Sequence, residues 1–313
     1  MSNEYPRDPD PAAVDLRAVR RHFARAAATY DAAAVLQREI GTRMLERLDV
    51  IRLAPAAILD AGCGTGEALP GLAARYPQAR RVALDVALPM LDVARSRTAA
   101  RRSVMKRLLA PLGGATGQVP SFVCGDVAAL PFASGAFGLV WSNLTLQWVA
   151  DLPRAIGELH RVLDVGGLVT FTTFGPDTLR ELRAAFAGVD ARPHVARFVD
   201  MHDVGDLLVH AGFADPVMQM EQLTLTYPDA ATMLRDLKAI GATNATEARP
   251  RGLMGRRRWS RALAALEATR ANGRLPVTFE VIYGHAWKVA PTHTGEGHAI
   301  VRFGRRLPKP ERL

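Results

Sequence analysis

Three acids and three glycines are the residues whose types and spacing point to chemistry. Leu59-Asp60-Ala61-Gly62-Cys63-Gly64-Thr65-Gly66 follows a short apolar run and carries its glycines as G-x-G-x-G. Glycines there let the backbone turn tightly and let a ligand approach with no Cβ in the way. The dinucleotide fingerprint has a different spacing, G-x-G-x-x-G, and sets a pyrophosphate on a helix N-terminus. Asp60, just before the loop, would repel a pyrophosphate but accept a hydrogen bond from a ligand ammonium. Asp85 lies 19 residues past Gly66, at the end of a second apolar run, where an acid takes a ribose hydroxyl. Asp126 follows a third run, in Cys124-Gly125-Asp126-Val127.

Three acids at three consecutive strand ends suit a ligand with an adenosine, an ammonium and no phosphate. S-adenosylmethionine has that inventory. Cys63 reads as a small residue filling tight space, since Asp60 beside it opposes a thiolate. His160 and His194 have no cysteine or histidine partner at ligand spacing, so no metal is expected.

The elements that must position these residues follow from periodicity. Residues 14–30 and 35–48 read as two helices, with Val19, Phe23, Ala26, Ala27 and Tyr30 on one face of the first. Strands are expected at 57–59, 81–85, 121–124, 137–141 and 168–173. Helices are expected at 89–97 and 152–163, the latter stopped by Asp164-Val165-Gly166-Gly167. Alternation of strand and helix implies a parallel, doubly wound α/β sheet. Beyond Phe174, helices are expected at 177–186, 203–211, 230–240 and 256–269, and strands at 218–227 and 277–287. Residues 96–120 break the spacing and read as an insertion: a basic helix, then a glycine-rich loop. The expected organisation is a disordered start and helical lid (1–50), a cofactor-binding core (51–175), a cap and last strands (176–290) and a basic tail of low order (291–313).

Composition bounds the partners. The chain of 313 residues carries 40 Lys+Arg against 31 Asp+Glu, and only four of the basic residues are lysines. Apolar content of 49% and charged content of 23% are those of a globular protein. Two cysteines exclude a disulfide scaffold. No secretory signal and no apolar run of about 18 residues is present, so a cytoplasmic protein without a membrane span is expected. The arginine excess implies an acidic partner. No nucleic-acid motif accompanies it, so nucleic acid is not expected.

With these motifs in place, residues 50–175 resemble the class I S-adenosylmethionine-dependent methyltransferases. The resemblance implies a Rossmann-like, seven-stranded, mostly parallel sheet whose last strand is antiparallel. It implies that Asp60 and the Gly62, Gly64 and Gly66 backbone face the methionine part, with Asn143 also in the cofactor site. Asp85 would hold the ribose with Val86 beside the adenine, and Asp126 and Val127 would contact the adenine amine and ring.

Further segments narrow the family. Phe23-Ala24-Arg25-Ala26-Ala27-Ala28-Thr29-Tyr30-Asp31, Trp141-Ser142-Asn143-Leu144-Thr145-Leu146-Gln147-Trp148, Phe171-Thr172-Thr173-Phe174-Gly175, Arg192-Pro193-His194-Val195-Ala196-Arg197-Phe198 and Leu237-Lys238-Ala239-Ile240-Gly241-Ala242-Thr243-Asn244 occur in order. Together, over residues 18–288, they resemble the malonyl-[acyl-carrier-protein] O-methyltransferases of biotin synthesis. Such enzymes methylate the free carboxylate of a malonyl thioester on acyl carrier protein, a small acidic protein. A carboxylate is ionised near neutral pH and needs no general base; the task is positioning and partial desolvation. The residues expected at the chemistry are therefore donors: a buried Arg197 gripping the malonyl carboxylate, Tyr30 on the lid closing over the methyl, and Gln147 beside it. Trp141 and Trp148 read as core or pocket wall.

The arginines of 96–120, or Arg249, Arg251, Arg256, Arg257, Arg258, Arg261, Arg270 and Arg274, are the two candidate docking faces for the carrier protein. A rival resemblance comes from the tail at 294–304, together with residues 146–153 and 174–179. It is to complex I assembly factors that share the fold and hydroxylate a protein arginine. The third class is an S-adenosylmethionine-binding accessory module without catalysis.

Overall fold

A computed structural model describes residues 13–109, 118–189, 192–249, 252 and 254–290. The start (1–12), the tail from Pro291 and most of the glycine-rich loop lie outside the described residues.

Seven strands form one sheet in the order β3-β2-β1-β4-β5-β7-β6. β1 (Ala57–Ala61), β2 (Arg80–Asp85), β3 (Ser121–Cys124), β4 (Phe137–Asn143) and β5 (Leu163–Phe174) pair in parallel. β7 (Leu275–Lys288) runs antiparallel between β5 and β6 (Phe213–Tyr227). This is the expected class I sheet with its single reversed strand. β1 is buried along its whole length, as a central parallel strand must be.

The period of two sends successive residues to opposite faces. Leu59, Val82, Leu84, Phe137, Val140 and Val169 join α6 (Leu152–Val162) and α8 (Met201–His210) in one core layer. Ile58, Leu139, Trp141 and Leu168 join the other layer with α3 (Val35–Arg47) and α4 (Leu69–Arg75). That layer also takes α7 (Arg180–Ala187), α9 (Ala230–Ala239) and α10 (Arg256–Glu267). Two short helices precede α3: α1 (Leu16–Ala26), capped by Asp15 accepting from the Ala18 amide at 3.1 Å, and α2 (Tyr30–Ala33).

Two expectations change. The helix after β2, α5, runs unbroken over Leu88–Leu109, so the basic stretch expected as a separate helix is its continuation. No proline or glycine interrupts residues 90–109, and Ala, Arg, Leu and Met there favour a helix. Residues 164–167, expected as a helix stop, form the first part of β5. A register shift opposite Phe137/Leu139 and a positive φ at Gly166 (84°) accommodate them. Beyond β5, α8 packs on the sheet, whereas α7, ahead of it, and α9 with α10, between β6 and β7, form two excursions.

Candidate active site

Parallel register fixes the relation among the acids. Ala61 lies beside Leu84, Asp60 beside Trp141, and Asp85 beside Cys124, so the carboxyl ends of β1 to β4 share one edge. Strand order reverses between β1 and β4, the position where open α/β sheets bind ligands. The Gly62 and Cys63 amides both donate to the Leu84 carbonyl, at 2.8 and 2.9 Å, folding the loop back over β2. At Gly62 (φ +83°) a Cβ would sit 2.1 Å from Thr145 Oγ1, so the loop and the β4 end approach too closely for any side chain. Gly66 faces Ala94 of α5, whereas Gly64 has open space where a Cβ would stand.

A cleft along this edge brings Tyr30, Gly62, Gly64, Asp85, Val86, Asp126, Val127 and Asn143 together. Leu16, Val19 and Phe23 of α1 and Trp148 close its outer side. An adjoining cavity holds Asp60, Gln37, Arg38, Thr65 and Trp141. Tyr30, Gly62, Gly64 and Asn143 line both and mark the junction. Gly66 is outside both lining sets; its role is the contact with α5.

Electrostatics differ between the acids. Asp60 is buried, and its carboxyl is pushed up to about 8, by burial first and then by the Asp85 charge. Asp85 is also raised by burial, opposed by hydrogen bonds from the Ala87 (2.8 Å) and Gly64 (2.9 Å) amides. Asp126 accepts from the Ala128 amide at 2.9 Å. Burial, Asp60 and Asp85 push the Cys63 thiol well up, so it is no nucleophile.

The lid is tied down at both ends. Val14 bridges Thr246, and the Asp15 amide donates to the Ala245 carbonyl at 2.7 Å. Arg249 pairs with Asp15 at 2.8 Å. Thr29 Oγ1 donates to the Ala239 carbonyl at 3.0 Å, and Gly241 lies against Phe23 and Ala26. Next to Tyr30, Asp31 accepts from Thr65 Oγ1 at 2.6 Å and from Arg97 at 3.1 Å. Arg97 also pairs with Glu67 and donates to the Thr65 carbonyl at 3.3 Å. Asn143 accepts from Thr172 Oγ1 at 2.7 Å and donates to the Gln37 carbonyl at 3.0 Å, joining the lid to the sheet. Burial, Asp85 and Asp31 drive the Tyr30 hydroxyl far above its usual range, so it stays neutral.

Gln147 and Arg197 lie elsewhere. Both line a chamber of about 1120 Å³ that reaches Val149, a residue it shares with the cleft lined by Asp85 and Asp126. Gln147 donates to the Leu144 carbonyl at 2.8 Å and accepts from Thr173 Oγ1 at 3.3 Å. Arg197, expected to be buried, is exposed. The segment around it is irregular, and its apolar anchor is Val195. Among the chamber's arginines, Arg183 is spent on the Pro176 and Thr178 carbonyls and Arg192 is engaged. Arg197 makes no hydrogen bond or ion pair with a described residue.

Residues 59–171 match the methyltransferase domain family model. YcgJ of Bacillus subtilis superposes with a TM-score of 0.53 at 17% identity, over 80% of this chain and all of that one, which shows the fold. The malonyl-[acyl-carrier protein] O-methyltransferase of Gallionella capsiferriformans is 53% identical, over 94% of this chain and 98% of the relative. That of Laribacter hongkongensis is 51% identical, over 94% and 97%. The chain belongs to the malonyl-[acyl-carrier protein] O-methyltransferase family.

As a methyltransferase of this family it takes its methyl from S-adenosylmethionine, which supplies an electrophilic sulfonium methyl when bound. The cavity beside Asp60 fits that cofactor's amino-acid end. Three buried polar atoms there lack a partner: Asp60 Oδ2, Gln37 Oε1 and Trp141 Nε1. Two acceptors and one donor are what an ammonium and a carboxylate require. Asp85, with both oxygens engaged by amides, would accept the ribose hydroxyls, and Asp126 would face the adenine. Gln37, Arg38, Thr65 and Thr145 were not legible as site residues. Thr65 and Thr145 lie in quoted segments but their side chains carry no signal there, and no motif marks Gln37 and Arg38, because α3 reaches the cleft only through the fold. Trp141 was expected as core or wall, and it is both.

Proposed function

We propose that this methyltransferase transfers a methyl group to the free carboxylate of a malonyl thioester carried on acyl carrier protein. The observation that carries this reading is the extent of the likeness. The domain model covers only the core, whereas the relatives align over 94% of the chain, through the lid and both excursions that build the chamber. The chemistry at the junction agrees. Tyr30 and Asn143 offer a neutral hydroxyl and an amide, suited to orienting a nucleophile that is already ionised.

Arg197 supplies the cation for the malonyl carboxylate, because its guanidinium makes no bond with a described residue and it stands on the chamber wall. Tyr30 closes the lid over the junction. Gln147, held between Leu144 and Thr173, shapes the chamber floor. The carrier protein is acidic, so it docks on a basic face. The deciding measurement uses labelled S-adenosylmethionine with malonyl-carrier protein. Label should appear as a base-labile methyl ester; its absence with folded enzyme defeats the reading.

A further inference from the structure

Two arginine-rich stretches compete for the docking face, and their side-chain contacts separate them. In the α5 stretch, Arg97 is committed to Asp31, Thr65 and Glu67 and Arg102 is engaged, which leaves Arg101 as a lone exposed cation without a bond to a described residue; the side chains of Lys106 and Arg107 lie outside the described residues. In the later stretch, Arg249 holds Asp15 and the Thr246 carbonyl. Arg270 holds Glu267 and the Pro228 and Gly273 carbonyls, and Arg274 holds Thr226. Arg251 lies outside the described residues. These paired arginines are structural.

The first turn of α10 is different. Arg256, Arg257 and Arg258 are exposed and make no hydrogen bond or ion pair with a described residue. Arg261, one turn on, makes one bond, to the Gly188 carbonyl at 3.2 Å. That turn holds no acid, and its cations face the positive end of the helix dipole. Adjacent guanidiniums repel one another as well. Such a turn is electrostatically unfavourable alone and is relieved by an anionic partner.

Its position connects it to the site. Trp259, 40% exposed, lies beside Phe186 with ring centroids 6.1 Å apart. Phe186 stacks on His194 at 4.3 Å. Phe186 and His194 line the chamber that holds Arg197 and Gln147. A half-exposed tryptophan among exposed arginines has the composition of an interface centre.

We propose that the first turn of α10, with Trp259 at its centre, is the surface on which an acidic carrier protein docks to deliver its thioester arm to the chamber. This rests on the substrate reading above. The test is the charge-reversal variant R256E/R257E/R258E in the full chain, assayed on malonyl-carrier protein and on malonyl-pantetheine, which lacks the protein. On malonyl-carrier protein, kcat/KM should fall about tenfold or more through KM, with kcat retained at saturation. Turnover of malonyl-pantetheine should match the parent enzyme, which also reports that the variant is folded. Raising salt from about 50 to about 300 mM should weaken the parent enzyme on the carrier protein and leave the variant nearly flat.

Unchanged kcat/KM on the carrier protein overturns the proposal. So does an equal loss on both substrates, or transfer of the effect to Arg101→Glu on α5. If the parent enzyme methylates malonyl-pantetheine but not malonyl-carrier protein, or neither, the substrate reading itself fails, and that outcome is distinct from a docking failure.

Discussion

The proposed cofactor side of the active site is backbone and carboxylates gathered at the ends of four adjacent parallel strands. The substrate side is a set of side-chain bonds between segments far apart in sequence, such as Thr29 with Ala239 and Asp15 with Arg249. On the first side, sheet register places Asp60, Asp85 and the glycine loop, and none can move without breaking strand pairs. On the second, lid and excursions meet through the buried Ala18, Val19 and Ala245 and a few polar contacts that can be removed one at a time. Substitutions that force the strand ends to shift should therefore cost most, and those that remove single lid contacts least.

The sharpest contrast lies within one loop. Gly62→Ala puts a methyl group 2.1 Å from Thr145 Oγ1 at a positive φ. S-adenosylmethionine affinity by calorimetry should fall by about a hundredfold or more, since backbone and β4 end must both shift. Gly64→Ala meets no atom within 4 Å and carries only the strain of its positive φ, +53°. Its loss should be several-fold. Equal effects at the two positions would break the register argument.

On the substrate side the largest effect belongs to Arg197→Ala. Turnover of malonyl-carrier protein should drop to near background, by about a hundredfold or more. Cofactor affinity should stay at the parent value, because Arg197 lines the chamber and not the cofactor cleft. Retained turnover would remove Arg197 from the site.

These variants also mark what was legible before the fold was known. The glycine loop and the three acids could be read because strand ends recur at regular spacing and each acid closes an apolar run. The sheet followed from the same alternation. Gln37 and Arg97 could not be read. One lies on an amphipathic helix where it resembles any polar position, and the other sits in a run of arginines where contacts alone separate a latch from a solvated face. For the same reason Arg197 was expected buried: its segment has no periodicity from which exposure could be inferred.

Asp60 offers a test by pH. Its carboxyl titrates near 8 in the folded, cofactor-free chain against an ordinary value of 3.8. Between those values the folded state binds a proton that the unfolded state lacks, so this group's contribution to stability falls as pH rises through that window. Asp60→Asn should raise the melting temperature of the cofactor-free enzyme by several degrees at pH 8 and leave it nearly unchanged at pH 4. The same variant should bind S-adenosylmethionine about tenfold or more weakly. If Asp60 holds the cofactor's ammonium, the carboxylate would be the form that binds, so binding should release a proton and tighten as pH rises from about 6 to about 7.5. Calorimetry in buffers of different ionisation enthalpy reads that proton. A variant that still releases it would place the titration on another group.

The smallest expected effect is at Arg97, where the two sides meet. Its guanidinium spans Asp31 on the lid, Glu67, and the Thr65 hydroxyl and carbonyl of the glycine loop. Arg97 and Asp31 are 27% and 43% exposed, so water and salt screen the pair and its loss will not unfold the lid. What Arg97 adds is position, because Asp31 follows Tyr30 directly and Tyr30 lines both halves of the cofactor cleft. Arg97→Ala should raise KM for S-adenosylmethionine about three- to tenfold and lower kcat modestly, with the melting temperature nearly unchanged. Arg97→Lys should recover only part of the loss, since an ammonium cannot hold Asp31, Glu67 and the loop carbonyl as one planar fork. High salt should move the parent enzyme toward the variant. If Arg97→Ala instead lowers only the carrier-protein kcat/KM, Arg97 belongs to the docking face and the separation of the two arginine stretches is wrong.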